Sequence, residues 1–406
     1  MCWPEFDSPS IFCRLLDQYK GAYFTITPQK GTTTVRTKQR YLPSSNVLQT
    51  RFIQEIGVLS VVDFFPRPVS QERKDLKKWL PKIWQAFNYT RDEHTVDVIE
   101  KKYLETGEVS QKVIFRSKNL SLELNATVEC AEEGPSSPHT NRAASNPFAG
   151  TRSTNDSSRP VPVPDVTFEI KDAVNAPHKR AVAYHIQYVE QRQGSDSKEH
   201  ISSSEIEEVH RNTHKYWHDW ISKSQYKGRY REVVERSLMI LKLLTYVPTG
   251  AIVAAATFGL PEDVKGARNW DYRSCWVRDS SFVIYILLRI GFQDEAERYM
   301  TFMSDRFRYS RLPNGALPIM FSIRGSTDLP GIELGHLEGY RKSRPVRVGN
   351  GAATHKQLDI YGELMDAAYL YDKFGKPVSY DQWVAVRDMT DFVCNIWTET
   401  DESIWE

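Results

Sequence analysis

The sequence predicts a multidomain chain in two unlike parts, an N-terminal antiparallel β-sandwich and a C-terminal all-helical domain, joined by a linker helix. Three observations predict it. At 406 residues the chain is too long for one ordinary domain. Up to about residue 190 the apolar residues fall in short runs separated by Gly, Pro and Asn, the pattern of an antiparallel sandwich. From Glu205 onward the apolar period lengthens to that of a helix.

Taken in order, Ala22, Phe24 and Ile26 alternate with polar or small residues. Val47, Gln49, Arg51 and Ile53 continue in an extended register, and Val58 to Phe65 is β-rich. Further strands are expected at Val113 to Phe115, Leu120 to Val128, Val166 to Ile170 and Val182 to Tyr188. Residues 130–164 are rich in Ser, Pro, Asn, Thr and Ala, so a disordered insertion in a loop of the sandwich is expected there. The sandwich is thereby assigned to 1–195, the linker helix to 196–228 and the helical domain to 229–406. In the linker, Ile206, Val209, His210, Tyr216, Trp217 and Trp220 share helical spacing.

In the helical domain, Tyr230 to Val247 recurs with helical period until Pro248 and Gly250 stop it. Phe282 to Ile290, ended by Gly291, is a second helix, and Glu295 to Phe307 a third. His355 to Phe374 is long and amphipathic, and Tyr380 to Trp397 is a last helix.

Composition excludes several classes. Lys and Arg total 53 against 52 Asp and Glu, so there is no net basic field for nucleic acid or a membrane surface. Five scattered cysteines, with no Cys-x-x-Cys pair, offer neither a zinc site nor a disulfide framework. The opening residues lack a basic segment and an apolar segment, and no apolar run reaches ~20 residues, so a cytoplasmic location is expected. His210 and His214 are four apart, but Arg211 stands where a metalloprotease motif needs Glu, so solvent-facing helix histidines are expected.

Three segments concentrate polar and aromatic residues where helices begin or end. Asn269 to Asp279 combines Arg, Asp and Trp just before an apolar helix. Carboxylate and guanidinium can take sugar hydroxyls in pairs while an aromatic face packs on the ring. The alternative is a helix cap at Asp279 or Ser280 with tryptophans in the core. His336 to Asn350 is rich in Gly and Arg. Arg344 and Arg347 there could meet a phosphate at a helix N-terminus, or the loop could simply close over a pocket. Asp401 to Glu406 by itself reads as a frayed acidic tail, although it puts a Glu beside a Trp, an environment that raises a carboxyl pKa toward that of an acid catalyst.

Together these segments resemble glycoside hydrolase family 15, which contains glucoamylases, glucodextranases and some microbial trehalases. The resemblance is carried by Arg268-Asn-Trp-Asp-Tyr-Arg-Ser-Cys-Trp-Val-Arg-Asp-Ser-Ser-Phe282, by Leu337 to Asn350 and by Gln357-Leu-Asp-Ile-Tyr-Gly-Glu363. Phe6-Asp-Ser-Pro-Ser-Ile-Phe12 is similar to the start of the family's N-terminal domain. A further aromatic is common in the family where Ser274 stands. The resemblance implies a β-super-sandwich, a linker helix and the first part of an (α/α)6 barrel. It implies that Tyr272, Trp276, Arg278 and Asp279 bind a terminal glucose, with Arg347 lining the same pocket. It implies Trp405 and Glu406 as the tryptophan and general acid of an Ile-Trp-Glu motif. Catalysis would invert the anomeric centre, and the family's general base lies beyond residue 406. The expected activity is that of an inverting exo-acting α-glucosidase of glucoamylase type on α-glucans. Trehalose hydrolysis and non-catalytic sugar binding are the alternatives. No cofactor or metal is implied. Because the chain stops at the acid motif, it is expected to be a fragment, inactive by itself.

Overall fold

The computed structural model describes residues 2, 5–10, 12–18, 20–21, 35–54 and 57–67, then strands within 95–190, and then 203–403 apart from 311 and 313. The expected strand at Ala22 to Ile26 lies outside the described residues, as do Trp405 and Glu406. The chain divides into two compact units. One comprises Met1–Arg14 and Tyr19–Trp217, the other Leu15–Gln18 and His218–Glu406.

The first unit carries the β-structure. Strands β1 (Arg36–Tyr41), β2 (Leu48–Gln54) and β3 (Gly57–Asp63) form an antiparallel meander. β1 is RTKQRY and fully exposed, so no apolar alternation marks it and the sequence pattern misses it. A four-stranded antiparallel sheet follows, in the order β4 (Thr95–Lys102), β5 (Val109–Ser117), β6 (Leu120–Val128), β9 (Val182–Glu190). β6 and β9 pair directly, from Leu120 opposite Glu190 to Val128 opposite Val182. The residues between them therefore leave and rejoin the same sheet edge. Within that excursion β7 (Phe148–Arg152) pairs with β8 (Val166–Ile170). β7 corrects the expectation of a wholly disordered 130–164: Phe148 and Thr151 are strand formers within a polar stretch, and β8 supplies a ladder partner.

Helix α1 (Ser203–Ile221) crosses the boundary between the units. On its first-unit side Thr213 accepts a hydrogen bond from the Arg67 amide at 2.9 Å, and Phe64 lies 5.3 Å from the His210 ring. His210 is thus half-buried rather than solvent-facing. Burial pushes its pKa down, helped by His214 and Arg211 and opposed by Glu207.

The second unit is helical. α2 (Arg231–Leu243) ends four residues before the expected Val247. Thr245–Tyr246 (β10) instead pairs with Ala251–Ile252 (β11), and Pro248 and Gly250 make the turn between them. α3 (Val277–Ile290) starts five residues earlier than expected and ends on Gly291, whose φ of 99° suits a left-handed cap. α4 (Gln293–Tyr309), α5 (Asp359–Phe374) and α6 (Tyr380–Ile396) complete the set. Ser379 and Gln382 form a reciprocal capping box at the start of α6.

The core sits where α3 meets α5. Ile284, Leu287 and Leu288 from α3 and Ile360, Tyr361 and Leu364 from α5 are buried at helical spacing. Each large side chain contributes about 1.5–3 kcal/mol by leaving water. Glu295 of α4 accepts from Lys242 Nζ at 2.6 Å and Trp220 Nε1 at 2.7 Å, so this buried carboxylate is both paired and hydrogen-bonded.

Candidate active site

Two short strands and two helix starts frame the site. Backbone from Ala254 to Gly259 pairs with Trp270 to Ser274 through four hydrogen bonds of 3.0–3.1 Å. The ribbon ends in Cys275–Trp276 (β12), which pairs with Met320–Phe321 (β13) and leads directly into α3. The helix begins on Trp276 with no side-chain cap, so Arg278 and Asp279 lie in its first turn and neither Asp279 nor Ser280 is its cap. An Asp there is favoured by the helix dipole.

The first half of the signature faces inward. Asn269 is fully buried and donates to the Gly266 and Pro345 carbonyls, both at 3.1 Å. Asp271 accepts from Arg273 Nε at 2.8 Å, Arg273 Nη2 at 2.6 Å and the amide of Gly349 at 3.0 Å. The guanidinium of Arg273 also lies 4.4 Å from the Phe258 ring. This ion pair is almost fully buried, so it is part of the scaffold rather than a pair waiting for hydroxyls. Cys275 is buried too, and burial pushes its thiol up to about 11.

The second half faces a polar cluster. Arg278 Nη1 donates to Gln357 Oε1 at 3.0 Å and to Asp359 Oδ2 at 2.9 Å. Asp279, next to it, is exposed. Glu363 lies one turn beyond Asp359 on α5. Gln357 Nε2, Asp359 Oδ1 and Glu363 Oε2 are buried and have no hydrogen-bond partner among the described residues. Burial and then Asp359 raise the Glu363 carboxyl to about 7, with Arg278 pulling it down and Asp279 adding to the rise. Such unsatisfied, convergent polar atoms are uncommon in a settled structure and are what a polar ligand would satisfy.

Of the aromatics, Trp276 is buried and its ring lies 5.9 Å from Tyr272, which is half-buried. Tyr272 donates to Glu262 at 3.4 Å. Tyr272 is therefore the more accessible ring, and Trp276 backs it. Arg347 lies 4.8 Å from the Trp270 ring, donates to the Ala267 carbonyl at 2.6 Å and pairs with Glu333 at 3.2 Å. Arg344 donates to the Glu338 carbonyl at 3.2 Å. Both arginines suggested for a phosphate are thus engaged by groups of the protein.

The segment leading to Glu406 is tied to the same place. Glu402 accepts from the Lys356 amide at 2.8 Å, and its own amide donates to the Lys356 carbonyl at 3.0 Å. Asp401 accepts from the Leu358 amide at 3.0 Å and from Ser403 at 3.1 Å, and these bonds hold its carboxyl below the usual range. Lys356 and Leu358 flank Gln357. The sequence reading passed over Gln357, Asp359 and Glu363 as site residues. The signal was present in their spacing, which sets Asp359 and Glu363 four apart at a helix start.

Comparison with known proteins adds the following. Residues 228–406 match Glycosyl hydrolases family 15, and residues 1–86 match the family Trehalase-like, N-terminal. The chain is 31% identical over its whole length to a trehalase of Thermoplasma acidophilum, covering 63% of that protein. It is 30% identical to a trehalase of Mycolicibacterium smegmatis and 31% identical to trehalase 1 of Sulfolobus acidocaldarius, covering 58% and 62% of them. The chain thus spans about three fifths of the length of these relatives. No solved structure matches it.

Proposed function

We propose that in this chain, whose residues 228–406 match Glycosyl hydrolases family 15, the polar cluster on α3 and α5 holds a terminal glucose of trehalose for inverting hydrolysis. The observation that carries this reading is the convergence of Arg278, Gln357, Asp359 and Glu363, beside exposed Asp279, with buried polar atoms left unsatisfied among the described residues. Sugar hydroxyls are both donors and acceptors, so they suit a site that offers a guanidinium, an amide and carboxylates together. Tyr272, backed by Trp276, would give the ring an apolar face. Arg347 would act at one remove, by fixing Trp270 and the loop after it.

In this proposal Glu406 protonates the glycosidic oxygen as bond cleavage begins, and Trp405 excludes water from it. The anchoring of Asp401 and Glu402 beside Gln357 supports such a placement. Inversion needs a second carboxylate, across the ring, to activate water; none of the carboxylates in the cluster is assigned that role. We also propose that the β-structure belongs to a super-sandwich over 1–195, that 196–228 links it, and that 229–406 contributes to an (α/α)6 barrel. Exposed Phe282, Tyr285 and Ile286 on α3 are what a helix packed on further helices would present.

The names of the relatives move the substrate from the α-glucan expected for a glucoamylase to trehalose. The test measures binding and turnover of trehalose against maltotriose by the purified protein. Trehalose should bind at least about tenfold more tightly, a difference of ~1.4 kcal/mol. Wherever turnover is detectable, Glu406→Gln should abolish it and leave trehalose binding intact. Preference for maltotriose would restore the glucoamylase reading, and binding without turnover would support a sugar-binding protein.

A further inference from the structure

Lys356 to Leu358, the residues that lead into α5, belong to neither helix nor strand, so their backbone groups have no ladder to join. Side chains from the segment after α6 answer them instead. Glu402 Oε2 accepts from the Lys356 amide at 2.8 Å, and the Glu402 amide returns a bond of 3.0 Å to the Lys356 carbonyl. Asp401 Oδ2 accepts from the Leu358 amide at 3.0 Å. Its other oxygen, Oδ1, accepts from the Ser403 amide at 3.1 Å, across a turn that sets Ser403 at a φ of 67°, uncommon outside glycine. Lys356 Nζ adds an ion pair of 2.9 Å with Glu399. The backbone is thus clasped on both sides of Gln357. The Gln357 side chain is 1% exposed, and its Oε1 accepts from Arg278 Nη1 at 3.0 Å. Its Nε2, the end that remains, is buried with no hydrogen-bond partner among the described residues.

We propose that Asp401 and Glu402 are positioning residues: by clasping the backbone on either side of Gln357 they fix its buried Nε2 where it donates to a sugar hydroxyl. The inference rests on the sugar-binding reading above and adds two residues to it. A glutamine side chain has several rotatable bonds, so a donor at its tip keeps one place only when tip and root are both held. Arg278 holds the tip, and the clasp holds the root. The two carboxylate bonds of the clasp are exposed, so water takes their place when either acid is removed. The fold then loses little, whereas the amide loses its aim.

The experiment is a pair of double-mutant cycles on the 406-residue protein, with Gln357→Ala combined in turn with Asp401→Ala and with Glu402→Ala. Each protein is titrated calorimetrically with trehalose. Gln357→Ala should lower affinity about tenfold, the size of one hydrogen bond, and each clasp variant about three- to tenfold. Each combined variant should match Gln357→Ala, because without the amide there is nothing left to aim. A further loss in the combined variants, or full affinity in either clasp variant, would overturn the proposal. Nitrogen-15 spectra of the glutamine-labelled protein separate this from the substrate question. The side-chain amide signals of Gln357, identified by their loss in Gln357→Ala, should move or broaden in Asp401→Ala with no sugar present. Unchanged signals would overturn the proposal, whereas moved signals without trehalose binding would support the positioning and overturn only the substrate. If Asp401→Ala fails to fold, Asp401→Asn, which keeps one acceptor oxygen, takes its place in the cycle and the spectra, with the same non-additivity expected at a smaller loss.

Discussion

The two halves of the signature Asn269 to Asp279 use the same residue types for opposite ends. In the first half, Asp271 and Arg273 are buried against each other, with Nε and Nη2 of the guanidinium both donating to the carboxylate. In the second half, Arg278 and Asp279 stand at a helix start, partly or fully exposed, beside polar atoms that nothing in the described residues satisfies. An Asp–Arg pair in a sequence therefore does not announce its role. What separates scaffold from site is whether the polar atoms are already partnered. A satisfied buried pair holds shape, whereas an unsatisfied cluster keeps free energy available for a ligand.

The largest expected effect breaks the first half. Asp271→Ala leaves the Arg273 guanidinium buried without its partner and should cost about 3–5 kcal/mol in urea unfolding. Replacing both residues with apolar ones of similar volume should recover most of that loss. The second half should behave oppositely. Asp279→Ala should change stability by no more than about 0.5 kcal/mol, because the side chain is exposed. Any loss should appear in trehalose affinity, read by calorimetry.

Arg278→Lys sharpens the contrast. A lysine keeps the charge and loses the planar fork that meets Gln357 and Asp359 together. Affinity should fall about tenfold, with the melting temperature little changed. The smallest effect concerns Cys275. Fully buried and with its thiol pushed up to about 11, it should resist alkylation at pH 8 in the folded protein, while exposed Cys394 reacts; peptide mapping by mass spectrometry reads both.

Stability should also depend on pH through Glu363. Its carboxyl rises from an ordinary 4.5 to about 7 on folding. Below the unfolded value both states hold the proton. Between the two values only the folded state does. The contribution is therefore complete at low pH and lost as pH rises through about 7.

Much of this was legible in the sequence, and the failures are instructive. β6 and β8 run where the apolar pattern put them, because apolar and polar residues alternate along both. β1 was invisible because its side chains face water along its whole length. The start of α3 was placed too late because polar Arg278 and Asp279 interrupt the apolar period, although they continue the helix. Arg278 and Asp279 could be singled out from residue type and position. The spacing of Asp359 and Glu363 marks one face of a helix, but not that Gln357 and Asp359 meet Arg278 about 80 residues away in sequence. The inward turn of Asp271 and Arg273 was equally hidden, because only the partner strand and Gly349 determine it.

The most direct test of the account is a crystal structure of this protein soaked in trehalose. The account predicts a glucose ring with hydroxyls about 2.6–3.2 Å from Arg278 and Asp279, near Tyr272. An empty cluster at saturating trehalose, or sugar bound only at another surface, would contradict it.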